Sequence, residues 1–227
     1  MSPASRLFAA ISIVVAGAPL MSAQCSGYDS VPLWIWNPLF YQSSLSGTQI
    51  TDLAASVSGW NNAQTALTIS TNPYDDIDVS VDNSITDLGD TYIYPMAPYT
   101  GCANQYDGCG VCRNSNVIAY VDIKVSTTLI ATEAAAYTSW TADQRLTSVL
   151  SHELGHALNL KDLGGSPTNC LQTSIMYLGN GAYTCNFIVA QSYCDGGDVN
   201  AAYSDAYFED WDLDDPDFCG YCNQGAC

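Results

Sequence analysis

Both histidines of this 227-residue chain stand four residues apart, in the run His152-Glu153-Leu154-Gly155-His156. Side chains at i and i+4 share one face only when the backbone between them is helical. If the two imidazoles act together, a helix must pass through this segment. The flanking residues agree. Thr141 and Gln144 form a capping-box pair, which predicts the helix start. Leu146, Val149, Leu150, Leu154 and Ala157 then supply a buried stripe at helical spacing. The helix is expected to stop near Asn159.

Two imidazoles on successive turns can bind one metal ion. Glu153, directly after the first, can reach a water at the site without ligating the metal. A catalytic zinc keeps three protein ligands and one open position, and makes a good nucleophile of water near neutral pH. Glu153 is then the candidate general base, taking the water proton and returning it to the leaving amine. The alternative is an ordinary buried helix with two satisfied histidines. No third histidine exists, so the third ligand must be a carboxylate. Asp162, six residues past His156, is the candidate, provided the chain reverses sharply after the helix. Such a reversal needs positive φ, and Asn159 stands where it is needed, the best residue after glycine for that conformation. Asp162 could otherwise be a surface carboxylate beside Lys161. Glu209, more than fifty residues downstream, is the rival ligand.

Elsewhere the pattern mixes strands and helices. Val31 to Trp36 reads as a first strand, stopped by Asn37-Pro38. Ile50, Leu53, Ala54, Val57 and Trp60 predict an amphipathic helix over about 48–63. Thr65 to Ser70, Ile77 to Val81, Thr91 to Tyr94 and Val117 to Val125 read as strands. Ile77, Val79 and Val81 alternate with polar residues, giving one buried and one wet face. Residues 96–116 read as a loop pinned by disulfides. A helix is expected near Asp198 to Tyr207, followed by a solvated acidic tail.

The N-terminus, with Arg6 before an apolar run from Leu7 to Ala18 and Ala23 before Gln24, reads as a secretory signal peptide. That run is too short for a bilayer, which needs about 20 residues. Residues 1–23 are therefore expected to be removed, leaving one catalytic domain over 24–227. Its N-terminal subdomain would reach about 159, and its C-terminal subdomain would cover 160–227. The ten cysteines, all after the signal, read as disulfides of a secreted protein rather than zinc ribbons. The chain carries 23 acidic and five basic side chains. That balance argues against nucleic-acid phosphates and anionic membranes as partners. It permits Ca2+, although no loop has a calcium-site pattern. No sequon for N-glycosylation occurs.

The run from His152 to Asp162 resembles the extended zinc motif of the metzincins. The family has glycine where Asn159 stands and usually histidine where Asp162 stands; the aspartate variant is typical of the snapalysins, small secreted bacterial members. Ser174-Ile175-Met176-Tyr177 looks like the Met-turn, whose methionine sits beneath the zinc site without ligating it. The specific match covers residues 141–187. The resemblance implies an α+β fold: a twisted mixed sheet with a long helix and an active-site helix, and an irregular, disulfide-rich C-terminal subdomain. It implies a secreted zinc metalloendopeptidase, expected to be monomeric, acting on protein or peptide substrates. His152, His156 and Asp162 would hold one Zn2+, Glu153 would be the base, and Met176 would support the site. It also implies a Cys170–Cys185 disulfide around the turn, and a pocket wall at 178–187. Tyr177 is given no catalytic role, because astacin-like enzymes place their tyrosine one position later, where Leu178 stands. Substrate would add to the sheet edge at Thr91 to Tyr94. The rival reading is a secreted non-catalytic protein, zinc-binding or disulfide-rich, for which an intact Glu153 has no use.

Overall fold

The computed structural model describes residues 34, 37–63, 66–71, 76–95, 118–136, 140–164, 174–177, 188–190 and 194–204. The expected signal segment, residues 96–116 that were expected to form a loop, Cys170, Cys185, residues 178–187 and the acidic C-terminal stretch with Glu209 lie outside them. The fold is α+β. The strands among the described residues are β1 (Leu39–Gln42), β2 (Ser70–Thr71), β3 (Ile77–Val81), β4 (Gly89–Pro95) and β5 (Ile118–Val125). The helices among the described residues are α1 (Thr48–Ala63), α2 (Thr127–Ala136), α3 (Ala142–Ala157) and α4 (Asp195–Ser204). The sheet order is β2-β1-β3-β5-β4, parallel except for β4, which runs antiparallel along β5 at the edge.

Register puts Ile77 beside Val121 and Val79 beside Ile123, all fully buried, so the expected period-2 face is the core face. Asp78 and Asp122, paired in the same ladder, alternate to the other face. Helix α3 packs against β4, β5, α1 and α2. Its contact with α1 is close because a serine and a tryptophan satisfy backbone oxygens across it: Ser56 Oγ donates to Thr147 O at 2.8 Å, and Trp60 Nε1 to Ser151 O at 2.8 Å. Beside α2, the buried Arg145 guanidinium pairs with Glu133 at 2.8 Å.

Several expectations need correction. Apart from Trp34, the expected 31–36 strand lies outside the described residues, among which the first strand is β1, after Asn37-Pro38. Trp34, within the expected 31–36 strand, is instead a buried anchor whose indole donates to Ala157 O at 2.8 Å, satisfying a carbonyl at the end of α3. The 65–70 strand contracts to Ser70–Thr71, because side chains take its backbone groups: Thr68 N donates to Asn37 Oδ1 and Ile69 N to Asn61 Oδ1. The buried side of α1 uses Leu53, Ser56, Val57, Trp60 and Ala63, leaving Ile50 exposed. The late helix starts at Asp195, three residues earlier than expected. Helix α2 was not expected at all. Only Ile130 and Ala134 of it are buried, too few for a periodic stripe. Cys194 is buried and disulfide-bonded.

Candidate metal centre

Helix α3 starts as its sequence dictates: the Thr141 hydroxyl accepts from Gln144 N at 3.1 Å, and the Gln144 amide oxygen accepts from Thr141 N at 2.9 Å. Its end builds the site. Asn159 takes φ 70°, its N–H donates to His156 O at 2.8 Å, and Leu160 N donates to Gly155 O at 2.9 Å. This is a Schellman turn with asparagine in the left-handed position. The reversal carries Asp162 back over the histidines. Leu163 N then donates to Met176 O at 2.8 Å, joining this segment to the turn at 174–177.

The result is a tight triangle of donor atoms. His152 Nε2 and His156 Nε2 lie 3.2 Å apart, and Asp162 Oδ1 lies 3.1 and 3.2 Å from them. In a tetrahedral centre with bonds of about 2.05 Å, neighbouring ligand atoms stand about 3.3 Å apart. The other ring nitrogens decide the tautomer. His152 Nδ1 lies 3.0 Å from Ile175 O and His156 Nδ1 lies 2.9 Å from Leu160 O. A carbonyl has no proton to give, so both Nδ1 atoms are N–H donors. Each neutral ring then aims an Nε2 lone pair inward. Two lone pairs and a carboxylate oxygen at this spacing repel unless a cation lies among them. His152, His156 and Asp162 could therefore hold a metal ion.

Without a metal ion, a proton can take that place. Burial pulls the His152 pKa down, but the hydrogen bond to Asp162, the Glu153 charge and the Ile175 carbonyl together leave it raised. The same hydrogen bond holds the Asp162 carboxyl below its usual range, against some burial. Burial pushes the Glu153 carboxyl up, opposed by the histidine charges and by Thr91.

The triangle opens into a cavity of about 820 Å³ lined by Glu153, Gly89, Thr91, Ile93 and Tyr177 among others. The Asp162 side chain is 43% exposed and those of His152 and His156 are 16% and 23%, so the cavity side of the triangle is open. Met176 is fully buried against Gly155: a β-carbon at Gly155 would overlap Met176 Sδ and lie 3.0 Å from Trp60 Cζ2. That close approach gives the glycine of the motif a physical reason. The expected site residues His152, Glu153, His156, Asp162 and Met176 are thus brought together.

Sequence reasoning missed Asp195, the first residue of α4. Fully buried, it accepts from Ser174 Oγ and, at 3.1 Å, from Ile175 N, while Met176 N donates to Ser174 Oγ at 2.9 Å. It thereby fixes the turn whose Ile175 carbonyl orients His152. An aspartate opening a helix reads locally as a cap, so no sequence signal separates the two roles. Gly89 was missed because its significance lies in a close approach to Glu153, which is distant in the sequence. Compared with known families and with curated proteins, the sequence matches none of them.

Proposed function

We propose that this chain is a secreted zinc-dependent endopeptidase of the metzincin type. The observation that carries the reading is the converging triad, with both imidazoles locked as Nε2 donors and a buried Glu153 beside them. Two imidazoles and one carboxylate in a near-tetrahedral spacing suit Zn2+ better than a hard, oxygen-seeking cation. An open fourth side and an adjacent carboxylate suit a catalytic rather than a structural centre. When bound, Zn2+ would polarise the scissile carbonyl and lower the pKa of water.

The chain's own residues supply the rest. His152, His156 and Asp162 hold the ion. Glu153 takes a proton from the attacking water and returns it to the leaving amine. Burial raises its pKa, which favours uptake of the proton it must later return. Strand β4 ends the sheet beside the cavity, so an extended peptide can pair with it as an added strand. Among the described residues no helix is long and apolar enough to cross a membrane.

The test uses zinc-loaded protein and its Glu153→Gln variant, with casein as substrate and metal content measured in parallel. Cleavage by wild type, lost in a variant that keeps its zinc, supports the reading. Equal cleavage by both, or zinc bound without cleavage of casein or a peptide library, overturns it.

A further inference from the structure

Glu153 is only 6% exposed, yet no helix neighbour holds its carboxylate. The edge strand does. Thr91 Oγ1 lies 2.7 Å from Glu153 Oε2 and 3.1 Å from the Glu153 carbonyl oxygen. A hydroxyl has one proton, and the shorter contact to a charged oxygen claims it. Two residues earlier, on the same side of β4, stands Gly89. A β-carbon there would fall 2.6 Å from Glu153 Oε1, 2.7 Å from Cγ and 2.8 Å from Cδ. Real β-carbons do not approach that closely, so any other residue at 89 would push the carboxylate aside. Among the described residues no group donates a hydrogen bond to Oε1.

We propose that β4 positions the base: Thr91 anchors Oε2, Gly89 leaves room for the carboxylate, and Oε1 is the atom that moves the proton. Oε1 receives a proton from the attacking water as the new C–O bond forms. It passes that proton to the amine nitrogen as the C–N bond breaks. The assignment rests on the peptidase reading for the role of Glu153. It also ties two events together, because the strand that would receive the substrate backbone is the strand that aims the base. Thr91 and Gly89 are positioning residues, acting through Glu153.

The experiment compares zinc-loaded wild type with Thr91→Val, Thr91→Ser, Gly89→Ala and Glu153→Gln. Valine keeps the shape of threonine and removes the hydroxyl; serine keeps the hydroxyl. Bound zinc, kcat and KM on a fluorogenic peptide, and the Kd for acetohydroxamic acid are measured. The hydroxamate chelates a metal through two oxygens and needs a carboxylate beside the metal to accept its proton, so it reads base placement without turnover.

Thr91→Val and Gly89→Ala should keep full zinc and a KM within about twofold, while kcat falls on the order of 10- to 100-fold, a fraction of a full general-base contribution. Both should weaken hydroxamate binding in the same direction as Glu153→Gln. Thr91→Ser should recover most of the loss. Thr91→Val with wild-type kcat and Kd overturns the proposal, as does a serine variant as impaired as the valine one. A wild type that cleaves nothing but binds hydroxamate through Glu153 and Thr91 removes the peptidase reading and leaves the positioning standing. If Glu153→Gln changes neither turnover nor hydroxamate binding, both fall.

Discussion

Replacing Gly155 by alanine sets two effects of known sign against each other. Gly155 lies inside α3, where alanine normally stabilises a helix by about 1 kcal/mol. Against this, the added methyl would overlap Met176 Sδ and lie 3.1 Å from Met176 Cε and 3.0 Å from Trp60 Cζ2. Neither neighbour can yield easily. Both are fully buried. The Trp60 indole is tied to Ser151 O at 2.8 Å, and Met176 is held at its N–H by Ser174 and at its carbonyl by Leu163. Overpacking a filled core costs about 1–3 kcal/mol, and pinned neighbours place this case toward the top of that range. The net expectation is a loss of about 1–2 kcal/mol, or a melting point lower by roughly 3–6 °C for a chain of this size. The displaced turn also carries the Ile175 carbonyl that orients His152, so zinc affinity should fall about 10- to 100-fold. Met176→Ala alone should cost about 2–5 kcal/mol, and the double variant should lose less than the two single losses combined, because the new methyl fills part of the void. Thermal melts of chelated protein, with zinc titrations, measure each quantity. An alanine variant that melts above wild type, with unchanged zinc affinity, would refute the packing of Met176 beneath the motif.

Alanine at His152, His156 or Asp162 should weaken zinc binding by on the order of a hundredfold or more, whereas Glu209→Ala should leave it alone, as calorimetric titration can check. Stability should depend on pH with opposite sense in the two metal states. In chelated protein the raised His152 contributes fully below its ordinary 6.5 and is lost as pH rises through its folded value; the lowered Asp162 contributes above its ordinary 3.8 and is lost as pH falls. The pair therefore helps most between about pH 4 and 6.5. Zinc must displace the histidine proton, so the zinc-induced rise in Tm should grow from pH 5 to 8, and a flat difference would sink this account. Asp195→Ala strips the acceptor from Ser174 and Ile175; it should cost about 3 kcal/mol in urea melts and weaken zinc binding, with Asp195→Asn milder in both. Asp52 is buried in α1 with Oδ2 unpartnered among the described residues, and burial plus the Asp143 charge raise its pKa. Native protein then binds the extra proton, so stability falls as pH climbs through that raised value. Asp52→Asn should remove this part of the slope, and a variant less stable than wild type at pH 7 would count against it.

What could be read from the sequence is what short-range geometry dictates. The spacing of His152 and His156, the Thr141–Gln144 cap and the apolar stripe specify α3 and its histidine face, because each rests on contacts within one or two helical turns. Asn159 signals the reversal, since few residues other than glycine tolerate positive φ, and the alternation of 77–81 marks a half-buried strand. Tertiary structure decided everything that depends on a distant partner. It set the imidazole tautomers through Ile175 and Leu160, and buried Asp195 beneath the turn. It made β4 an antiparallel edge and brought Thr91 and Gly89 of that edge to Glu153, some sixty residues away along the chain. It also turned Trp34 from an expected strand residue into the partner of Ala157, 123 residues on. Periodicity within a window shows which side of an element is buried, but not which element covers it. That choice is made when the whole core closes and each buried polar group must find its own partner.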